Sequence, residues 1–393
     1  MAQTLVVDGT DLTAYPADRR IAAVAADARA VYVTWDDGRR SVFHNLWLRD
    51  NCACAQCRHP EALERTFDLL SVPENLRAAE AGLDGGVLRV VWAQDGHVSA
   101  YRPGWLRAHD YGAAAREERR ERPVLWDSRL TGRVPAVAYA GIMASDRALL
   151  EWLRLLRDYG VCIVSGVPAE TRAAARAALR VAPLQRTQYG TTWDVVAKPE
   201  PISTAFTPIR LTCHMDLPYW ESPPGYQFLH CLCNEAAGGE SVVVDGFAVA
   251  GALRRDEPEA FDLLARVALP FRFVDRDTDL RYRAPAIGLH PDGEVREIRF
   301  SIALMDALDA PAHLMEALYR AYRKMAAMIR EPQFEVRFRL EAGQMLVFDN
   351  RRILHGREAF DPRTGRRHLA GCYLLRDDLL SRIRVLERGL PIR

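Results

Sequence analysis

The stretch CHMDLPYW, residues 213–220, places a histidine and an aspartate two positions apart. In an extended segment alternate side chains lie on one face, so His214 and Asp216 are expected to point in the same direction. An imidazole and a carboxylate on one face can both bind one metal ion. The spacing alone is also typical of a hydrogen-bonded pair in a core or on a surface, so a metal site needs a third ligand.

A candidate third ligand lies far downstream, in FDNRRILHGREAF, residues 348–360. This run predicts a strand followed by a loop, and the distance of His355 along the chain is what the opposite side of a barrel would give. Two imidazoles and one carboxylate leave coordination positions open for a co-substrate and dioxygen, an arrangement that suits non-haem Fe(II). Taken alone, His355 is also typical of a histidine satisfied by hydrogen bonds.

An iron site of this kind needs a source of electrons. The co-substrate 2-oxoglutarate supplies them if a cation anchors its distal carboxylate. Arg367, in GRRHLAGCY after His355, is placed to do so, because a guanidinium binds a carboxylate through two parallel hydrogen bonds. The alternative for Arg367 is a solvent-exposed arginine on a strand.

Four segments together resemble the Fe(II)- and 2-oxoglutarate-dependent dioxygenases, in particular the branch that contains gamma-butyrobetaine hydroxylase and trimethyllysine hydroxylase. In chain order they are HMD (214–216), GGESVVVDGF (238–247), FDNRRILHGR (348–357) and RRHLAGCYLLRDDLL (366–380). In addition, WLRDNCACAQC (47–57) resembles the small zinc domain of gamma-butyrobetaine hydroxylase. The resemblance covers nearly the whole chain.

The resemblance implies a mainly β fold with packed helices. Its catalytic domain is a double-stranded β-helix, or jelly roll, and a small β-rich zinc-binding domain precedes it. The implied iron ligands are His214, Asp216 and His355, and Arg367 is implied to bind the distal carboxylate of 2-oxoglutarate. Ser241 falls where related enzymes place a hydroxyl near that carboxylate, and the alternative for it is a buried strand serine bonded to the backbone.

Four aromatic residues near these motifs align with the trimethylammonium cage of the family: Tyr189, Trp193, Phe206 and Tyr373. Aromatic faces around a permanent cation contribute about 0.5 to 2 kcal/mol per contact. Phe206 stands where gamma-butyrobetaine hydroxylase has a tyrosine. The alternative is ordinary aromatic packing in the mouth of a barrel.

One segment departs from the family. Where the carnitine-pathway hydroxylases carry an asparagine-rich motif that contacts the acidic end of the substrate, this chain has SIALM, residues 301–305. The resemblance as a whole predicts hydroxylation of a small trimethylammonium compound like gamma-butyrobetaine, with release of succinate and carbon dioxide. The departing segment argues against gamma-butyrobetaine itself and leaves open another quaternary amine, such as 2-trimethylaminoethylphosphonate, or an unrelated small metabolite. Hydroxylation and desaturation are not distinguished by these residues.

The cysteine-rich run offers Cys52, Cys54 and Cys57, close enough to wrap one zinc ion. A tetrahedral site takes a fourth ligand, and the candidates are His59 and His97. We favour His97, because a ligand from a distant hairpin would staple a small sheet with little core of its own, and because His97 matches the family pattern. Free thiols in a loop are the alternative.

The pattern of elements divides the chain into a small domain (1–110), a charged linker (111–135) and a catalytic domain (136–393). Two similar hairpins occupy the first part, as a weak duplication or as two hairpins of one sheet. Amphipathic helices are predicted after residue 145, over residues 249–268 and over residues 312–329. The strand-like runs between them are seldom spaced as βαβ units, which favours a mainly antiparallel β core with helices outside.

Composition excludes several classes of partner. The chain has 393 residues with 53 Lys+Arg against 52 Asp+Glu, so no basic face argues for nucleic acid or an anionic membrane. No apolar run approaches the roughly 18 residues of a membrane span, and residues 1–10 lack a basic leader. The 8 cysteines suit reduced thiols, so we expect a cytoplasmic protein. The resemblance alone implies a homodimer. A non-catalytic jelly roll is disfavoured, because a pure binding protein has no need of the complete set of iron ligands with Arg367.

Overall fold

The computed structural model describes residues 15, 18–120, 122–197 and 203–388. Residues 1–10, with the prediction made for them, lie outside this range. The chain divides into two compact units, residues 1–121 and 122–393. The division falls within the segment predicted as a linker, and the domain limits at residues 110 and 136 stay a prediction.

The N-terminal unit consists of two three-stranded antiparallel sheets. Its strands are β1 Ile21–Ala26, β2 Ala30–Trp35, β3 Arg40–His44, β4 Ala78–Asp84, β5 Val87–Trp92 and β6 Val98–Tyr101. Its helices are α1 Asn45–Asp50, α2 Pro103–Ala108 and α3 Ala113–Glu118. The sheets are ordered β1-β2-β3 and β4-β5-β6, and one buried cluster includes side chains from both. A single sheet built from the two predicted hairpins is therefore wrong.

The two sheets repeat one side-chain bond. Trp35 Nε1 donates to Ser41 Oγ at 2.7 Å in the first sheet, and Trp92 Nε1 donates to Ser99 Oγ at 2.9 Å in the second. Each bond joins the end of a middle strand to the strand that follows it. The turn between β2 and β3 contains Gly38 at φ +81°, as the Asp-Asp-Gly signal predicts. The shared construction supports the interpretation of a duplication.

The C-terminal unit combines two main antiparallel sheets with packed helices. Its strands are β7 Ala136–Ala138, β8 Val161–Ser165, β9 Thr192–Val195, β10 Leu211–His214, β11 Tyr226–Asn234, β12 Ala237–Gly238, β13 Ser241–Asp245, β14 Ala268–Val274, β15 Asp279–Pro285, β16 Ile287–Leu289, β17 Val295–Ile298, β18 Glu335–Phe338, β19 Met345–Asp349, β20 Ile353–Arg357, β21 Phe360–Asp361 and β22 Arg367–Leu374. Its helices are α4 Tyr139–Ala144, α5 Asp146–Tyr159, α6 Ala173–Leu179, α7 Gly246–Asp256, α8 Pro258–Arg266, α9 Ala312–Ile329 and α10 Arg376–Glu387.

The large sheet has the strand order β7-β8-β19-β11-β22-β9, and the small sheet has the order β10-β20-β13-β18. Within these two sheets only the β7–β8 pair is parallel. A buried cluster between them draws Val243 and Ile353 from the small sheet and Phe348 and Leu369 from the large one. Two packed antiparallel sheets with non-sequential strand neighbours form a jelly roll, which confirms the predicted fold class.

The predicted helices have local causes. Helix α5 begins after Ser145, whose Oγ accepts a hydrogen bond from Ala148 N–H at 3.4 Å, and it ends at Gly160, whose φ is +73°. The pattern over residues 249–268 does not form one helix. It divides into α7 and α8 at Pro258, because proline has no N–H to continue the ladder and is favoured in the first turn of a new helix. Within the described part of the chain, no helix has the length and apolar character needed to cross a membrane.

Candidate active site

The predicted metal ligands meet at one point of the small sheet. His214 ends β10 and lies directly opposite His355 of β20, with ring centroids 4.6 Å apart. Asp216 follows two residues later, and its Oδ1 lies 3.4 Å from His214 Nε2 and 3.8 Å from His355 Nε2. The ligand atoms of all three side chains lie within 4.8 Å of one another. Such a cluster has the donor types and the spacing to surround a single metal ion from one side.

Asn350 holds Asp216 through its backbone. Its Oδ1 accepts from Asp216 N–H at 2.8 Å, and its Nδ2 donates to the carbonyl oxygens of Asp216 (3.0 Å) and Pro224 (3.1 Å). Asn350 is fully buried. Leu217, which follows Asp216 in the chain, has φ +55°. This backbone conformation is uncommon for a non-glycine residue and needs support from its surroundings. Sequence reasoning missed Asn350, whose only signal was a polar residue directly after the buried strand β19.

The two histidines are prepared for metal binding in different ways. His214 Nδ1 lies 2.8 Å from the Thr212 carbonyl oxygen, which places the proton on Nδ1 and leaves the Nε2 lone pair free. His355 Nδ1 is buried with no hydrogen-bond partner among the described residues, and its ring packs 4.7 Å from that of Phe348. Burial lowers the pKa of His355 to about 4, so the ring is neutral at physiological pH, as a metal ligand must be.

The carboxylate of Asp216 is also fixed by Tyr373, whose hydroxyl donates to Oδ2 at 2.6 Å. This bond leaves Oδ1 directed at the two histidines. Although burial opposes ionisation, the neighbouring histidines and the Tyr373 hydroxyl lower the pKa of Asp216 below its usual range. The group is therefore an anion at physiological pH.

Arg367 starts β22, opposite Asn234 of β11. Its Nε is buried without a hydrogen-bond partner, and none of the described carboxylates forms an ion pair with it. Burial lowers the pKa of Arg367 to about 10, which leaves it charged at neutral pH. A half-buried cation without a counter-charge loses part of its hydration without compensation, so this position fits a carboxylate ligand. Ser241, at the start of β13, is buried and lies opposite Arg357 in the neighbouring strand β20. It does not line the cavity formed by Trp193, Tyr373 and their neighbours.

A cavity of about 500 Å³ opens beside the metal ligands, and His214 and Asp216 form part of its wall. All four aromatic residues that the sequence nominated line it: Tyr189, Trp193, Phe206 and Tyr373. The Trp193 and Tyr373 rings stack with centroids 4.2 Å apart, and the Tyr189 and Phe206 rings meet edge to face at 6.5 Å. The cavity therefore has the size and the aromatic lining to take a small cation next to the metal.

Residues outside the four aromatic positions also line the cavity. Tyr219 lines the wall, and its hydroxyl accepts from Gln188 Nε2 at 2.6 Å. The departing segment contributes Ser301, Ala303 and Leu304, of which Ser301 carries a buried Oγ without a hydrogen-bond partner. This wall is mostly apolar.

A second cluster lies in the N-terminal unit. His97 Nε2 is 3.3 Å from Cys52 Sγ and 3.6 Å from the Sγ atoms of Cys54 and Cys57. The four ligand atoms lie within 4.8 Å of one another, which is compatible with structural zinc. His59 is not part of the cluster, since its Nδ1 accepts from the backbone N–H groups of nearby loop residues.

Arg49 supports this cluster and was missed by the sequence reasoning. It is buried and donates to Cys57 Sγ at 3.1 Å, while its guanidinium lies 3.9 Å from the Phe67 ring centre and 3.3 Å from Asp95. A hydrogen bond from Cys52 and the Arg49 charge lower the pKa of Cys57, although burial opposes the shift. A thiolate is the form that binds zinc, so the surroundings favour the ligand state of Cys57.

Comparisons with known proteins agree with this architecture. Residues 127–373 match the family model described as taurine catabolism dioxygenase TauD, TfdA family, and residues 23–107 match the model for the N-terminal part of gamma-butyrobetaine hydroxylase-like proteins. The gamma-butyrobetaine dioxygenase of Pseudomonas sp. strain AK-1 is 46% identical over 96% of this chain and 99% of its own. The trimethyllysine dioxygenase of Meyerozyma guilliermondii is 30% identical over 95% and 97%.

A solved taurine dioxygenase structure from Burkholderia xenovorans covers 64% of this chain and 91% of its own at 17% identity and a TM-score of 0.48. The assignment rests on the sequence matches instead, which extend over both units and include every residue of the metal cluster. Given a family match over more than half of its length, the chain belongs to the TauD/TfdA family of Fe(II)- and 2-oxoglutarate-dependent dioxygenases.

Proposed function

We propose that this enzyme hydroxylates a small trimethylammonium compound of the gamma-butyrobetaine type. The observation that carries the proposal is the aromatic cavity, which shares His214 and Asp216 with the metal cluster. A substrate held by the aromatic walls would thus lie beside the metal. The names of two relatives, gamma-butyrobetaine dioxygenase and trimethyllysine dioxygenase, support a trimethylammonium substrate.

In this proposal His214, Asp216 and His355 hold Fe(II), and Arg367 binds the distal carboxylate of 2-oxoglutarate, with Ser241 nearby. Iron and 2-oxoglutarate together supply, with dioxygen, an oxidant for an unactivated C–H bond, and succinate and carbon dioxide are the co-products. The protein contributes position, because chemistry of this kind depends on which substrate carbon lies next to the metal. Asn350 and Tyr373 fix Asp216 from two sides, which keeps the ligand geometry constant.

The aromatic residues orient the substrate. Cation–π contacts with Tyr189, Trp193 and Tyr373 contribute roughly 0.5 to 2 kcal/mol each when desolvated. Phe206 offers a ring face without a hydroxyl and is almost fully buried. The rings therefore favour a methylated ammonium, which cannot donate hydrogen bonds, over a primary amine, which loses its hydration and gains no acceptor.

The zinc cluster has a structural role in this proposal. Four protein ligands leave no open coordination position, so no chemistry is expected there. All 8 cysteines are free, which is consistent with the reducing cytoplasm that we propose as the location. A homodimer is proposed from the resemblance to the hydroxylase branch, and sedimentation analysis would test it.

The substrate is tested by a panel of amines incubated with the enzyme, Fe(II), ascorbate and 2-oxoglutarate. The panel contains gamma-butyrobetaine, trimethyllysine, 2-trimethylaminoethylphosphonate, choline and glycine betaine, and mass spectrometry reports the gain of one oxygen atom. We expect gamma-butyrobetaine to be converted most efficiently. Conversion of the phosphonate alone would replace the proposed substrate, and conversion of none with slow 2-oxoglutarate turnover would remove the trimethylammonium class.

A further inference from the structure

Arg357 ends strand β20, two residues beyond the predicted iron ligand His355. Because side chains alternate along a strand, both lie on one face of β20, roughly 7 Å apart along the strand. The ladder places Ser241 opposite Arg357 and Val243 opposite His355. Since Val243 belongs to the buried cluster between the two main sheets, this face points into the space between them.

The Arg357 side chain is buried but only partly satisfied. It is 5% exposed, and one terminal nitrogen donates to the carbonyl oxygens of Thr207 (2.7 Å) and Ile209 (2.8 Å). Its Nε is buried without a hydrogen-bond partner, and none of the described carboxylates forms an ion pair with it. Among the residues that the structure describes, none therefore supplies a counter-charge to Arg357.

Arg367 is a second arginine whose Nε is buried without a hydrogen-bond partner, although its side chain as a whole is only half-buried. Its guanidinium carbon lies 5.5 Å from the centre of the Phe360 ring, and that of Arg357 lies 4.7 Å from the same centre. Two guanidinium groups beside one ring, that of Arg357 buried and that of Arg367 half-buried, repel each other and lose hydration, which is unfavourable unless an anion compensates them. This part of the interior therefore calls for an anionic ligand that both guanidinium groups reach.

We propose that Arg357 is the second cation of the 2-oxoglutarate site, and that its Nε donates to the same distal carboxylate that Arg367 binds. The inference rests on the proposed function, which supplies the anion. Because Arg357 and His355 share one face of β20, a five-carbon diacid bound at the metal through one end would extend along this strand towards Arg357. Sequence reasoning assigned the anchor to Arg367 alone, because the family motif names one arginine.

The same residue connects the co-substrate to the substrate cavity. Thr207 and Ile209 belong to the segment 206–209, which begins with Phe206. Phe206 and Ile209 line the substrate cavity. By holding two carbonyl oxygens of this segment, Arg357 keeps a cavity wall in register with strand β20. A purely structural role in this segment is the competing explanation, and measuring the affinity for two oxo acids, one with and one without a distal carboxylate, distinguishes the two roles.

The test measures binding rather than turnover. Protein loaded with Mn(II) is titrated by calorimetry without dioxygen, first with 2-oxoglutarate and then with 2-oxobutanoate, which has the same oxo-acid end and no distal carboxylate. We expect Arg357→Gln to weaken 2-oxoglutarate binding roughly ten- to a hundredfold, as the loss of a charge-assisted hydrogen bond predicts. Binding of 2-oxobutanoate is expected to stay within about twofold, because it never reaches Arg357.

Two further variants control the measurement. Arg363→Gln removes an exposed arginine in the turn after β21, where it pairs with Asp361, and it should change neither affinity. Arg357→Lys keeps a positive charge at the same buried position. It replaces Arg357→Gln in the titrations if the glutamine variant lacks a cooperative thermal transition. We expect it to weaken 2-oxoglutarate binding several-fold and to leave 2-oxobutanoate binding unchanged.

Equal losses for both ligands, or no loss for either, would overturn the assignment of Arg357, since the residue would then serve the 207–209 segment alone. Arg367→Gln distinguishes this failure from a failure of the proposed function. If Arg367→Gln weakens 2-oxoglutarate binding and Arg357→Gln does not, only the present inference is wrong. If neither variant weakens it, the co-substrate site itself is misplaced.

Discussion

Asp216 depends on neighbours that act on different atoms. Asn350 fixes its backbone N–H and carbonyl group, and Tyr373 occupies one carboxylate oxygen. Replacing residues that orient a metal ligand in this way typically lowers metal affinity or activity about ten- to a hundredfold. The sequence predicted Asp216 because it lies in a short motif with His214. Asn350 is 134 residues away from Asp216 along the chain, so no local sequence pattern indicates their contact.

Replacing Asn350 by Ala should therefore weaken metal binding without removing any ligand. We expect the affinity for Mn(II) to fall roughly tenfold or more, because Asp216 and the strained Leu217 lose their support. Metal titration followed by paramagnetic resonance measures it. Asn234→Ala is the matched control, since Asn234 Nδ2 donates to the Leu340 carbonyl oxygen and has no contact with the metal ligands. Unchanged Mn(II) affinity in a folded Asn350→Ala protein would contradict this role.

Replacing Trp193 tests whether the aromatic residues of the cavity bind a cation or only pack against one another. Its ring stacks on Tyr373 and faces the cavity. We expect Trp193→Leu to weaken binding of gamma-butyrobetaine about five- to thirtyfold, the equivalent of 1 to 2 kcal/mol. Binding of a neutral isostere, in which carbon replaces the ammonium nitrogen, should change much less. Calorimetry on the Mn(II)-loaded protein gives both values, and equal losses would show that the ring is only a wall.

Adjacent strands also shape the cavity. Gly371 of β22 lies opposite Trp193 of β9, and a Cβ at Gly371 would come within 2.7 Å of the indole ring. The close approach of the two strands lets the indole lie flat against β22 and stack on Tyr373. A glycine inside a strand usually weakens it, so its presence here is explained by the ring that it admits.

Gly371→Ala should displace the indole and reduce the affinity for the quaternary amine by several-fold, with a smaller effect on 2-oxoglutarate. Paired titrations with the two ligands measure the difference. Gly251→Ala is the matched control, because a Cβ at Gly251 in helix α7 meets nothing within 4 Å and should stabilise the helix by about 0.5 to 1 kcal/mol. The expectation is refuted if the two alanine variants bind the amine equally well.

The zinc cluster unites elements that are distant along the chain, since its cysteines follow α1 and His97 precedes β6. We expect about one zinc per chain by elemental analysis, and its loss should lower the unfolding temperature of the N-terminal unit. His97→Ala should lose most of the metal, whereas His59→Ala should retain it, because His59 accepts only backbone hydrogen bonds. Loss of zinc in His59→Ala with retention in His97→Ala would reverse the assignment.

Across the whole molecule, local signals were the reliable ones. The pattern over residues 312–329 coincides with α9, and the HMD and LHGR motifs predicted side chains that meet in space. What the sequence left open or missed arises from pairing between distant strands: the division of the N-terminal unit into two sheets, the bonds of Asn350, and the burial of Arg357. Periodicity identifies the face of a strand but not the strand that lies opposite it.

The cluster of His214, Asp216 and His355 is expected to couple oxidation of 2-oxoglutarate to that of a trimethylammonium compound. The most direct measurement is succinate formed from 2-oxoglutarate in the presence of Fe(II), with and without gamma-butyrobetaine, for the native enzyme and for Asp216→Ala. We predict strong stimulation by the amine in the native enzyme, one hydroxylated product per succinate, and no succinate from Asp216→Ala. Full succinate formation by Asp216→Ala would rule out this metal site, and formation that does not change with any quaternary amine would rule out the trimethylammonium substrate.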